Sequence, residues 1–229
     1  MDERNILSNK INTKYMSKIF IVGGGTSLKD FDYSLLKKHD TITINHSLFS
    51  VPDPNFWITM DYSWVEKIRI TDKKETYLLT NACKIFVANL STDSGLLYRD
   101  NHYIWKNKQI YDLNDIDITI KSFFKRNFGA LNHFAHGQNS GFCALQLALC
   151  LGYTQIYLLG IDLCTVNGRT HYHELYDTKF QSFEDNLQRY YENFYFSLRD
   201  YKGKSKIYSC SKISRLNDLI QYKNIKEVL

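Results

Sequence analysis

Proline is scarce in this chain, two in 229 residues, and with the abundance of Lys, Asn, Ile and Tyr this reflects AT-rich coding rather than a fold. No stretch approaches the run of about 18 apolar residues that spans a bilayer, so no membrane-spanning helix is expected. Met1 to Lys18 is polar and lacks the apolar core of a secretory leader. No pair of cysteines has C-x-x-C spacing, which argues against a structural zinc site. The five cysteines, Cys83, Cys143, Cys150, Cys164 and Cys210, are odd in number and mostly sit in apolar runs, as reduced, buried thiols do. These absences together predict a cytoplasmic protein. No internal repeat, low-complexity segment, basic run or recognised nucleic-acid motif accompanies the formal net charge of +5. The dispersed positive balance suits an anionic ligand and is compatible with peripheral contact with an acidic membrane surface. The composition is equally compatible with a homo-oligomer.

A chain of this length buries one substantial core with at most a small appended subdomain. Residues 1–16 read as an N-terminal arm and 17–229 as one α/β domain. Lys18 to Val22 is a short β-branched and aromatic run that ends at three glycines; Asp40 to Ile44 and Phe56 to Met60 read as the next strands. A short helix near Tyr33 to Lys38, with Asp32 as its N-cap, completes a βαβ opening. Lys84 to Ala88 is another strand, whereas 89–138 is polar, aromatic and without a usable period, apart from weak apolar runs near Tyr111 and Phe123. Ser140 is a good N-cap for the apolar run Phe142 to Leu151, and Gly152 takes the C-cap position. Gln155 to Leu159 has no polar face, as a central parallel strand covered on both sides should read. Phe180 to Tyr201 is amphipathic at spacings of three and four; Lys206 to Cys210 follows as a strand and Ile213 to Ile220 as a closing helix. Strands alternating with helices predict a mostly parallel sheet.

Three clusters carry candidate chemistry. In Gly23-Gly24-Gly25-Thr26-Ser27 a strand runs into a glycine turn, where a pyrophosphate can approach the backbone and exposed N–H groups attract its charge. Leu28 stands where the dinucleotide fingerprint has its third glycine, and the Lys-Ser/Thr pair of a P-loop is missing. Asn45 and Asp61 close the second and third strands, at the edge where open sheets place ligands; Asn45 is also a common turn residue and Asp61 a natural helix cap. Asn139-Ser140-Gly141 puts small polar groups at a helix N-terminus. Asp162 follows the all-apolar strand, and beyond it Asn167-Gly168 reads as a tight turn leading into Arg169-Thr170-His171-Tyr172-His173. His171 and His173 are the candidate general bases, with Tyr172 or Arg169 contacting phosphate. No third ligand of clear spacing joins the two histidines, so no metal site is assigned to them.

These clusters, in this order, resemble two related groups: the Campylobacter-type bacterial sialyltransferases, and the family spanning motility accessory factors and archaeal hydroxymethylpterin pyrophosphokinases. The similarity lies in Ile19 to Leu36, Asn139 to Leu163 and, more faintly, Ser209 to Leu219, about a quarter of the chain. It implies a single Rossmann-like domain with a mostly parallel sheet and a small lid, 164–180 being the candidate segment. It further implies a glycosyltransferase using a nucleotide-activated sugar, CMP-linked by preference, and a glycan or other hydroxyl acceptor. By that resemblance Gly23, Gly24, Gly25, Thr26, Ser27, Asn45, Asn139, Ser140, Gly141 and Asp162 hold the nucleotide, Tyr172 meets its phosphate and His171 or His173 is the base, with no metal required. Asp61 and the Thr170-His171 pair lean toward the second group, which implies a magnesium-dependent pyrophosphokinase with Asp61 or Asp162 as ligands. A nucleotide-binding module without catalysis is the third expectation.

Overall fold

The computed structural model describes residues 17–89, 97–99, 102–104, 110–172 and 182–229, with 97–99, 102–104, 110–112 and 182–185 described by their backbone alone. In chain order the elements are β1 (Lys18–Val22), β2 (Thr41–Ile44), β3 (Phe56–Thr59), α1 (Tyr62–Arg69), α2 (Lys74–Leu79) and β4 (Cys83–Asn89). Then come β5 (Leu97–Arg99), β6 (His102–Ile104), β7 (Ile110–Asp112), β8 (Ile118–Phe123), β9 (Phe134–Ala135), α3 (Ser140–Cys150) and β10 (Gln155–Leu159). The chain closes with α4 (Ser182–Asp200), β11 (Lys206–Ser209) and β12 (Gln221–Tyr222). β12-β11-β10-β1-β2-β3-β4-β8-β9 form one sheet in which every pairing is parallel, while β5, β6 and β7 form a separate antiparallel sheet. The fold is α/β with a mostly parallel sheet.

Both faces of the large sheet are covered, which is why β1 and β10 at its centre carry buried apolar residues on both. Alternation sends Ile19, Ile21, Ile42, Ile44, Ile58 and Ile85 to one side, against Phe142, Leu145 and Leu147 of α3 and Phe194 of α4. Phe20 and Val22 go to the other, against Leu28, Leu36 and Val51. Farther along that face Trp57 and Phe86 meet Trp64, Val65 and Ile68 of α1. Each such side chain contributes about 1.5–3 kcal/mol by leaving water. Helix α3 is buried continuously from Gly141 to Ala148, as expected for a helix lying over the sheet centre. Its one long polar side chain, Gln146, accepts through Oε1 from the backbone N–H of Gly129 (2.9 Å) and Ala135 (3.3 Å), while its buried Nε2 has no partner.

Several sequence expectations shift. Tyr33–Leu36 is a 3-10 turn rather than an α-helix, although Asp32 does cap it by accepting from Ser34 N–H. The N-cap of α3 is Asn139, accepting from Phe142 N–H at 3.0 Å, and Ser140 is the first helical residue. The expected closing helix shrinks to a 3-10 turn over Arg215–Asp218. The unreadable stretch holds the small sheet and two further strands of the large one, β8 and β9.

Strand order fixes where a ligand can sit. From β1 the chain steps outward to β9, returns through α3 to β10 on the other flank of β1, and steps outward again to β12. The reversal falls between β1 and β10, so the loops leaving their carboxyl ends diverge and open a crevice there.

Candidate functional site

A cavity of about 670 Å³ occupies the carboxyl edge of the sheet. It is bordered by Gly23, Gly24 and Gly25 after β1, Asn45 and His46 after β2, Met60 and Asp61 after β3, and Ala88 and Asn89 of β4. His136 and Asn139–Gly141 around the start of α3, Gly160–Cys164 after β10, Thr170 and His171, and Asn186–Tyr190 of α4 complete the wall. Of the sequence candidates, Gly23, Gly24, Gly25, Asn45, Asp61, Asn139, Ser140, Gly141, Asp162 and His171 meet here. His173 lies outside the described residues.

The glycine turn is built for close approach to β10. Gly23 N–H donates to the carbonyl of Leu159 (2.8 Å) and Gly25 N–H to that of Gly160 (2.9 Å), so these two amides are spent on the scaffold. A Cβ on Gly25 would stand 2.4 Å from Asp162 Oδ2 and 2.7 Å from the Gly160 carbonyl; one on Gly23 would stand 2.5 Å from that same carbonyl. Asp162 is nearly inaccessible, and its carboxylate accepts from Ser27 N–H (2.9 Å) and Ser27 Oγ (2.7 Å), with Thr26 Oγ1 at 3.5 Å. Thr26 and Ser27 therefore turn toward Asp162 and do not line the cavity. Of the five turn residues expected to hold the nucleotide, the three glycines border the cavity, while Thr26, Ser27 and Asp162 bond one another.

Asn45 sits in the left-handed region at φ 51°, a conformation Asn tolerates better than most residues. Its Oδ1 accepts from Thr59 Oγ1 at 2.7 Å and its carbonyl from Trp57 Nε1 at 2.8 Å. Asp61 caps α1, accepting from Ser63 N–H at 2.9 Å. Ser140 Oγ accepts from Met60 N–H at 3.2 Å and so ties the start of α3 to the end of β3. Phe142 N–H is taken by the Asn139 cap; helix geometry leaves the Ser140 and Gly141 amides without an intrahelical acceptor, and both residues line the cavity.

Residues 171 and 172 cross the glycine turn as an extended segment, with Gly25 and His171 bridged and Tyr172 N–H donating to the Gly24 carbonyl at 3.0 Å. Alternation puts the two side chains on opposite sides. His171 lines the cavity, its Nδ1 2.8 Å from Thr170 Oγ1, and burial pushes its pKa down to about 4. Tyr172, the residue expected to meet the phosphate, instead reaches Ser50 Oγ at 2.8 Å and packs near Tyr33, away from the cavity. Val166 and Arg169 pair across Asn167 (φ 51°) and Gly168 (φ 72°), the φ > 0 pair that a two-residue hairpin turn requires.

Sequence reasoning missed His46, Asn89, His136, Arg189 and Tyr190. His136 lies in the stretch without a period, and Arg189 and Tyr190 belong to a helix whose stripe reads as core. Arg189 brings a guanidinium to the cavity wall, where it bonds Asn186. Of the two carboxylates that the second group would offer magnesium, Asp162 is bonded to Ser27, whereas Asp61 uses one oxygen for the α1 cap and lines the cavity. Among the described residues no three of His, Cys, Asp and Glu are placed to hold a metal ion.

No protein-family model matches the chain, and no curated protein matches it. Among solved structures, the sialyltransferase CstII from Campylobacter jejuni, studied in complex with the substrate analogue CMP-3FNeuAc, is similar at 18% identity over 90% of this chain and 85% of that one, with a TM-score of 0.45. The monofunctional α-2,3-sialyltransferase Cst-I from the same organism is similar at 15% identity over 93% and 82%, with a TM-score of 0.48. The fold assignment rests on this chain's own strand order.

Proposed function

We propose that this chain is a glycosyltransferase, sialyltransferase-like, that binds a nucleotide-activated sugar, CMP-linked by preference, and transfers the sugar to an acceptor hydroxyl. The observation that carries the reading is convergence: the glycine wall, the uncapped amides of Ser140 and Gly141, and the imidazole of His171 border one cavity at the topological switch point. The similarity of Ile19 to Leu36 and Asn139 to Leu163 to the sialyltransferases supports the sugar and the nucleotide.

Each group has a task in such a reaction. The Ser140 and Gly141 amides, at the positive end of α3, receive the phosphate and stabilise it as it departs. The glycine turn, by letting the end of β1 touch the loop after β10, forms the wall beside which that phosphate sits. His171, neutral in the empty site, accepts the proton of the acceptor hydroxyl as that oxygen bonds the sugar's anomeric carbon and the bond to phosphate breaks. The phosphate bound beside it raises its basicity once the donor is in place. This chemistry routes no step through a metal.

The test is a thermal-shift panel of CMP-, UDP- and GDP-linked sugars and ATP, each with and without Mg²⁺. A CMP-linked sugar at a hundred times its Kd should stabilise the fold by about 2.7 kcal/mol, equally in both metal conditions. Stabilisation by ATP alone, and only with Mg²⁺, would sink the reading in favour of a pyrophosphokinase. His171→Ala should keep donor affinity and lower transfer by about 10²–10⁴-fold; unchanged turnover would remove His171 as the base.

A further inference from the structure

His136 follows β9 and precedes α3, and it is 1% exposed. Its Nδ1 accepts the backbone N–H of Gln138 at 3.0 Å. A ring nitrogen that accepts carries no proton, so the proton of the neutral imidazole is on Nε2. Nε2 is buried and has no hydrogen-bond partner in the folded chain. An orphaned donor in a protein interior costs roughly 1–3 kcal/mol, and the same imidazole borders the cavity beside the Asn139 cap. The local backbone fixes its position: Gly137 (φ 50°) and Gln138 (φ 55°) are consecutive left-handed residues, and Asn193 Nδ2 donates to the Gly137 carbonyl at 2.8 Å.

We infer that His136 is a ligand-reading residue of this cavity, its Nε2–H donating to an uncharged oxygen of the bound donor, a nucleobase carbonyl or a sugar hydroxyl. The inference rests on the nucleotide-sugar reading above. An uncharged oxygen suits the site because burial holds this imidazole neutral, with a pKa near 4, and a buried phosphate oxygen against it would favour the charged ring instead. The anionic part of the ligand has other partners, the amides of Ser140 and Gly141.

Two substitutions separate reading from scaffolding. Asn superimposes on the Nδ1 side of the ring and keeps an acceptor for Gln138 N–H; Gln reaches the Nε2 position and keeps the donor. His136→Asn should melt near the parent and bind CMP-linked sugar about 10–100-fold more weakly by calorimetry, the discrimination expected when one buried bond is lost. His136→Gln should recover most of that affinity. Cytidine and CMP run alongside locate the oxygen: an equal loss for all three assigns it to the base, and a loss confined to the CMP-linked sugar assigns it to the sugar. On adding ligand, the imidazole Nε2 proton in ¹⁵N-edited spectra should become observable and move downfield. A parent protein that binds none of these compounds overturns the nucleotide reading and this inference with it. Parent binding that His136→Asn leaves unchanged overturns the inference alone, as does a Gln variant that binds no better than the Asn one.

Discussion

Two adjoining walls of the cavity, which meet at Ile161, are built on opposite terms. At the β1 and β10 wall almost every polar group is answered from within the chain: the Gly23 and Gly25 amides by β10 and its following loop, the Asp162 carboxylate by Ser27, and Ser47 Oγ by the carbonyls of Val22 and Ile44. At the α3 wall the first helical amides lack intrahelical acceptors and His136 Nε2 has no partner. An interior normally satisfies its donors, so the contrast marks the first as frame and, under the function proposed above, gives the second the donors that a ligand's oxygens would meet. It also explains why the conspicuous triple glycine is less about holding phosphate than about letting two loops touch.

The largest effect expected to sharpen this contrast is acid lability at the α3 wall. His136 is held near a pKa of 4 by burial, against about 6.5 in the unfolded chain. The unfolded state therefore binds the extra proton first, and stability is lost as pH falls from about 6.5 to 4, on the order of 3 kcal/mol by the end of that window. Denaturant titrations across the window should show a flatter loss for His136→Asn; an identical slope in parent and variant would mean the imidazole is not the source. His171 contributes in the same direction, so some slope remains in the variant.

Breaking the frame should cost slightly less. Gly25→Ala drives a methyl into the Gly160 carbonyl and a carboxylate pinned by Ser27, and about 2–3 kcal/mol of overpacking is expected, visible as a lowered melting point together with weaker donor binding. Asp162→Asn replaces one of two accepting oxygens by a donor that faces Ser27, at about 1–2 kcal/mol, with donor affinity falling because the glycine wall loosens. Asp61 gives the smallest change. Asp61→Ala should lose about 1 kcal/mol with the α1 cap, and Asp61→Asn, which keeps the cap, should leave both stability and transfer unchanged with or without Mg²⁺. A transfer rate that collapses in Asp61→Asn would return a metal role to that carboxylate.

The parallel sheet and its central strands were legible because burial on both faces leaves an unbroken apolar run, as in Lys18–Val22 and Gln155–Leu159. Helix α3 was legible from its apolar length and α4 from its period. The stretch between β4 and α3 was not, because three-residue strands carry too few residues to display any period. The same blindness hid His136. Asp162, by contrast, stood out in the sequence but its bond to Ser27 did not, since no spacing along the chain reveals that a carboxylate will face Ser27 across 135 positions.

What this sequence determined alone is therefore the alternation of strands and helices and the set of loops at the carboxyl ends, because those follow from local period and turn chemistry. Tertiary structure alone decided which of the polar residues on those loops face one another and which face the cavity. Strand order brings β1 beside β10 and lays residues 171 and 172 across the glycine turn, turning His171 inward and Tyr172 outward. That choice is set by packing between segments distant in the chain, a property that no local pattern encodes.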